Sequence, residues 1–324
     1  MASLQLTFSE AVAGHVRYCQ AAGYSSHTLA DYQNAFKLFL GSLGQDLPMR
    51  QITVVHVEDF MVRVQHEAIA PNGVAPRPAR IRRPKTVRNY HIALSSLWTW
   101  AMQKSVVDTH VVHAVKPPKV NVEPIQPLSH EQMRRLLAAT RFTRAYKNNP
   151  LKMNERPTYA RDQMILCVLY ETMMRADEAV KIKIGDVTFQ KPGGSIYVLG
   201  KGQKPRVVQF GKTCANAIQG YLLHRPGHKP SDYLIVNQNG GRQTGMQRST
   251  LGRLIARLGE RVDIDVYPHL LRITGACHRL NNGLNPAELQ HLMGHSDIKT
   301  TMRYVAAAQR NNNAIMSSSP LDNL

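Results

Sequence analysis

Apolar positions recur at helical spacing through the first 115 residues. One run starts at Phe8 and continues through Val12, His15, Val16 and Cys19. After a break at Gly23 to Ser26, a second covers Thr28–Leu43, with Tyr32, Phe36 and Phe39 or Leu40 on one stripe. Thr53 precedes a third, Val54–Ile69, and Thr86–Gln103 forms a fourth through Val87, Tyr90, Leu94, Leu97 and Trp98. Between the last two, Ala70–Pro84 holds four prolines and is not helical throughout. Lys116–Pro127 (KPPKVNVEPIQP) has four more and no apolar period, so it reads as an extended linker. The expected division is a helical unit at 1–115, a linker at 116–127 and a second unit at 128–324.

The second unit mixes periods. Ser129 and Gln132 form a capping box for a helix through Leu136 and Leu137. Arg141–Tyr159 is polar and basic, a surface insertion to which the sequence assigns no role. Asp162–Met174 is apolar at helical spacing and ends at a helix-to-helix corner carrying Arg175 and Glu178. Alone, that pair would be a surface ion pair worth little. SIYVLG at Ser195–Gly200 and RVVQF at Arg206–Phe210 are β-branched runs joined by KGQKP, a hairpin whose turn holds Lys201 and Lys204. Gln247–Leu258 is amphipathic, with Arg248, Arg253 and Arg257 on its polar side.

Three breaks divide the stretch from Tyr267 to Tyr304. Gly283 suits the left-handed position that ends a helix. Asn285, Pro286 and Glu288 then start a short helix that Gly294 closes. Ser296 or Asp297 starts a third, ending near Tyr304. In that helix Ile298, Met302 and Val305 form the expected core stripe. Tyr304 then lies about 200° round from Met302, away from the core and available for chemistry. His269 and Arg272, three apart, share a helix face.

Charge narrows the partner. Lys and Arg number 41 against 22 Asp and Glu, a net charge of +19. Such an excess favours a polyanion, nucleic acid first and an acidic membrane surface second. No acidic residue lies between Glu67 and Asp108, where Arg77, Arg80, Arg82, Arg83, Lys85, Arg88 and Lys104 fall. A proline-stiffened basic loop feeding a helix N-terminus suits DNA phosphates. The bland reading is a solvated basic surface. Cys19, Cys167, Cys214 and Cys277 form no CxxC pair and read as reduced thiols of a cytoplasmic protein. No apolar run is long enough to cross a bilayer, and no signal-peptide core is present. His291 and His295 are four apart, but Gly294 interrupts their helix and no further ligands complete a metal site.

H-L-L-R at 269–272, L-M-G-H-S at 292–296 and T-T-x-x-Y at 300–304 resemble the signature of the tyrosine recombinase (phage integrase) family in type, order and spacing. YETMMRADEAVKIKIGDV resembles its first box, with Arg175 in register and Met173 where the family has glycine. Ile273 stands where it generally has His. KTVRNYHIALSSLWTWA resembles the last helices of the family's core-binding domain. The resemblance spans most of the chain, apart from 141–160 and the last fifteen residues.

This resemblance implies a mainly α, two-domain DNA clamp. Its parts are an N-terminal helical core-binding domain and a C-terminal mixed α/β catalytic domain with a small antiparallel sheet. It implies a catalytic set of Arg175, Lys201, His269, Arg272, His295 and Tyr304, with Lys204 as the second lysine of the hairpin. Tyr304 would attack the scissile phosphate, Arg175 and Arg272 would clamp it, and Lys201 would protonate the leaving 5′ oxygen. His269 would be an acid/base partner, and His295 would position the phosphate or the tyrosine. No metal or cofactor is required. The partners implied are duplex DNA with paired sites, a homo-tetramer on that DNA, and accessory proteins where an element uses them. Two rivals are a non-catalytic DNA-binding protein on this fold and a relaxing topoisomerase of the same chemistry. The first has no need of Tyr304, and the second has no need of paired sites.

Overall fold

A computed structural model describes residues 5–67, 81–121, 126–143, 154–200, 204–239, 242–294 and 297–311. They are mainly α-helical with two small antiparallel sheets. The chain divides into two units, Met1–Glu123 and Pro124–Leu324, each with its own hydrophobic core.

In the first unit, Thr7 and Glu10 form a capping box that opens α1 (Phe8–Ala21). Ser25 caps α2 (Ser26–Leu43), and α3 (Val54–His66) follows Thr53. Pro84 occupies the first position of α4 (Pro84–Gln103), where its missing N–H is no loss. Phe8 packs on the rings of Phe36, Phe39 and Trp98, and Phe39 meets Phe60 edge-on. Burying each such side chain contributes about 1.5–3 kcal/mol. The buried stripe of α1 is Phe8, Ala11, His15 and Cys19, leaving Val12 and Val16 half-buried. The helix rolls this way because Trp100 lies against Gly14, where a Cβ would come 2.6 Å from the indole.

The second unit is built around α6 (Tyr159–Thr172), whose Met164–Leu169 segment is buried on all sides. Its two acidic residues serve its surroundings. Asp162 is fully buried and accepts hydrogen bonds from Arg156, Arg161 and Thr158. Glu171 accepts from the backbone N–H of Gly211 at 2.7 Å and Cys214 at 3.1 Å, capping α8 (Lys212–Leu223). α5 (His130–Ala138) carries the expected Ser129–Gln132 capping box. Strands β1 (Val187–Gln190), β2 (Gly193–Leu199) and β3 (Pro205–Phe210) form an antiparallel sheet in that order. Its register pairs Ile196 with Val208 and Val198 with Arg206. Those apolar residues face the core with Phe210, while Tyr197, Leu199 and Val207 face outward. β4 (Val236–Asn239) pairs with β5 (Arg242–Gly245).

After α9 (Arg248–Glu260), α10 (Pro268–Asn281) crosses α6. α11 (Pro286–Met293) is capped by Asn285 and ended by Gly294 in the left-handed conformation. α12 (Ile298–Asn311) begins after Asp297, whose carboxylate accepts from the Lys299 N–H. It runs well past Tyr304 instead of ending there. The flanks of the 141–159 insertion pair through Phe142 and Glu155, and residues 144–153 lie outside the described set. All four cysteines are buried and unpaired. No helix among the described residues is long and apolar enough to cross a membrane.

Candidate active site

The corner after α6 turns on Met173, which adopts φ 52° and ψ 24°. Only glycine visits that region without strain, so the turn keeps the shape a glycine would give. The methionine side chain is buried in return. Arg175 follows as the N-cap of the short helix α7 (Ala176–Ala179). Glu178 accepts from the Arg175 backbone N–H at 2.8 Å and from its Nη1 at 3.1 Å. Arg175 is thus held by a carboxylate, with its side chain still 38% exposed.

Arg272 is placed from the opposite side. It lies one turn into α10, 1% exposed, and donates Nη1 to the Met173 carbonyl and Nη2, at 3.0 Å, to the Met293 carbonyl. Both acceptors are at helix C-termini, where carbonyls lack intrahelical partners and carry the negative end of the dipole. Burial first, then the charges of Arg175 and Arg206, lower the Arg272 pKa against the opposing pull of Tyr304 and Glu178, to about 10 in all. It remains protonated at neutral pH. Arg175, Glu178, Arg206 and Tyr304 therefore each lie within electrostatic reach of Arg272.

Gly275 makes this approach possible. A Cβ there would stand 2.1 Å from the Tyr170 carbonyl, so α10 crosses α6 backbone against backbone one turn after Arg272.

Tyr304 differs from expectation. It is 5% exposed and packs with Met173, Ile273, Cys277, Leu289 and Met293, while Ile298 and Met302 are 41% and 49% exposed. The buried face of α12 is Thr301, Tyr304, Ala307 and Ala308. Small side chains explain the exchange: Ala307 and Ala308 let α12 lie close on Ala276 and Cys277 of α10. The Cys277 thiol donates to the Tyr304 carbonyl at 3.6 Å. Ile273, in place of the family's usual His, is a fully buried part of this cluster.

His269 sits exposed in the first turn of α10. Lys201 and His295 lie outside the described residues, and Lys204 is exposed where β3 begins. Of the basic loop, Arg77 and Arg80 also lie outside. Arg82 donates to the Glu67 carbonyl at 3.4 Å, Arg83 is the N-cap of α4, and Lys85 and Arg88 are exposed on its first turns.

Arg206 was not among the expected site residues. It donates Nη1 and Nη2 to the two oxygens of Glu178 at 3.0 and 2.7 Å. Burial pushes the Glu178 carboxyl up, but the hydrogen bonds and charges of Arg206 and Arg175 outweigh that and hold it below its ordinary range. The signal was strand parity: residues 206, 208 and 210 share one face, and Val208 and Phe210 are buried. An arginine on that face needs a buried partner.

Among the described residues, no group of three or more His, Cys, Asp or Glu could hold a metal. A model of the phage integrase family matches residues 126–311, more than half of the chain. The chain belongs to the phage integrase family. This integrase-family protein is 30% identical over 285 residues to tyrosine recombinase XerC of Staphylococcus haemolyticus (strain JCSC1435), covering 87% of this chain and 86% of that one. In fold it resembles the Tn1549 transposon integrase (residues 82–397) in complex with circular intermediate DNA, with a TM-score of 0.68, 18% identity and coverage of 94% and 99%. A λ integrase tetramer bound to a Holliday junction gives a TM-score of 0.68 at 15% identity, covering 93% of this chain and 78% of that one. As a family member, the protein is a site-specific DNA recombinase, a DNA strand-transferring enzyme.

Proposed function

We propose that this integrase-family recombinase cuts and rejoins duplex DNA through a phosphotyrosine formed by Tyr304. The observation that carries the reading is the α6 corner, which bears Arg175 and whose Met173 carbonyl receives Arg272, with the charge of Arg175 and the Tyr304 phenol both in electrostatic reach of Arg272. The Tyr304 oxygen attacks the scissile phosphorus and its proton passes to His269. The bond from phosphorus to the 5′ oxygen breaks, and that oxygen takes a proton from Lys201. The 3′ strand end stays on the enzyme as an ester, so rejoining needs no external energy source. Arg175 and Arg272 neutralise the non-bridging oxygens, and His295 positions the phosphate. Guanidinium groups suit this because they stay charged and bind two oxygens at once.

Arg77, Arg80, Arg82, Arg83, Lys85, Arg88 and Lys204 provide phosphate contacts, and residues 1–115 act as the core-binding half of a clamp around the duplex. The working assembly is a tetramer on two paired sites. The λ integrase tetramer on a Holliday junction, a structural relative, supports it. Because Tyr304 is covered by its own cluster, that packing must loosen before attack.

A nicked duplex that loses its 5′ fragment after cleavage tests the mechanism. The unsubstituted protein should accumulate a covalent adduct, and Tyr304→Phe should abolish it with DNA affinity unchanged. An adduct that persists in the phenylalanine variant would move the nucleophile elsewhere.

A further inference from the structure

We propose that Arg206 is a positioning residue whose task is to serve as the counter-ion of Glu178, leaving the charge of Arg175 for the phosphate. The inference rests on the cleavage mechanism proposed above. It deepens that mechanism by adding a third arginine.

Glu178 presents a problem at such a site. It fixes Arg175 by accepting from its backbone N–H and its Nη1. A carboxylate beside a phosphate that is gaining negative charge in the transition state nevertheless works against the reaction. An unopposed Glu178 would also draw the guanidinium of Arg175 onto itself. Arg206 resolves both effects. It takes both carboxylate oxygens in a forked pair, whereas Arg175 gives Glu178 a single side-chain bond. Forked pairs between guanidinium and carboxylate are the stronger geometry. The side chain of Arg206 is only 14% exposed and that of Glu178 6%, so solvent screens their attraction little.

The position of Arg206 is over-determined. It pairs with Val198 across the hairpin. A Cβ added to Gly200 would meet its Nη1 at 3.0 Å, and one added to Gly294 would meet its Cδ at 3.4 Å. Its side chain therefore lies between the end of β2, the residue that closes α11, and the corner bearing Arg175. Arg175, Arg206 and Glu178 together carry one net positive charge, and Arg272 adds a second.

A double-mutant cycle read by the rate of covalent adduct formation on the nicked substrate tests this. Arg206→Met should slow the adduct about 100-fold with Glu178 present, the lower end of what losing one preorganised donor costs. In a Glu178→Gln background, where no carboxylate needs neutralising, the same substitution should cost less than about fivefold, a coupling that contact through one network produces. Arg206→Lys, which keeps the charge and loses the fork, should fall between. DNA affinity should stay within about threefold throughout. Equal losses in both backgrounds would overturn the counter-ion assignment, as would an Arg206→Met rate equal to that of the unsubstituted protein. If Arg206→Met does not fold, the Arg206→Lys rate in the two backgrounds decides in the same way. Failure of the unsubstituted protein to form any adduct would instead defeat the cleavage mechanism, and this inference with it.

Discussion

Met173 shows how strain and burial oppose each other within one residue. Its left-handed backbone costs roughly 1–2 kcal/mol relative to glycine. Its side chain, 2% exposed against Tyr304 and Ile273, returns about 1.5–3 kcal/mol of burial. Glycine would also lose about 0.5–1 kcal/mol more chain entropy on folding. Burial and entropy together outweigh strain, so Met173→Gly should destabilise the second unit by about 1–2 kcal/mol. Calorimetry should then find its transition lowered by about 3–6 °C. The carbonyl that receives Arg272 is retained in that variant, so adduct formation should survive. A rise in the transition temperature would mean that backbone strain exceeds burial and entropy combined. The corner keeps the turn a glycine would give because the cluster around Tyr304 supplies what the backbone gives up.

At the scale of elements, the period of apolar residues was enough to find α1 to α4 and the α6 corner, and β-branched runs and glycines added the β2–β3 hairpin and the stops at Gly283 and Gly294. It failed where packing is governed by small residues. Ile298 and Met302 outweigh Thr301, Ala307 and Ala308 on any hydrophobicity scale, yet the small set is the face that meets α10. The same blindness hid Gly275, because a glycine inside a helix pattern reads only as a weak former. Arg206 escaped notice for a different reason: its partner is 28 residues away, and strand parity alone does not name it. Two glycines in the second unit turn this into a measurement. Gly275→Ala drives a Cβ into the Tyr170 carbonyl and should cost about 3 kcal/mol or more, with adduct formation lost as Arg272 moves off the Met173 carbonyl. Gly252→Ala, in α9 with nothing within 4 Å of the added carbon, should stabilise by about 0.5–1 kcal/mol. Similar effects from the two would show that close approach of α10 and α6 does not set the site.

For the whole molecule, two separate cores mean that each unit can respond to conditions by itself. Both tryptophans, Trp98 and Trp100, lie in the first unit, so their fluorescence reports on that unit alone. His15 sits there among Tyr32, Phe36 and Trp100, with Nε2 3.1 Å from the Ser96 hydroxyl and 3.4 Å from the Cys19 thiol. Burial lowers its pKa from 6.5 to about 4. The unfolded chain therefore binds a proton between pH 6.5 and 4 that the folded one refuses, so stability is present above that window and lost as pH falls through it. The loss at pH 4 is roughly 3 kcal/mol from this group. His110, lowered by burial and by the neighbouring His113, adds in the same direction, so the total slope alone does not isolate His15. The difference between proteins does. Urea titrations followed by tryptophan emission should show the unsubstituted protein losing roughly 2–3 kcal/mol more than His15→Gln between pH 7.5 and 4.5. Parallel pH dependences in the two proteins would mean that His15 takes up its proton without unfolding its surroundings.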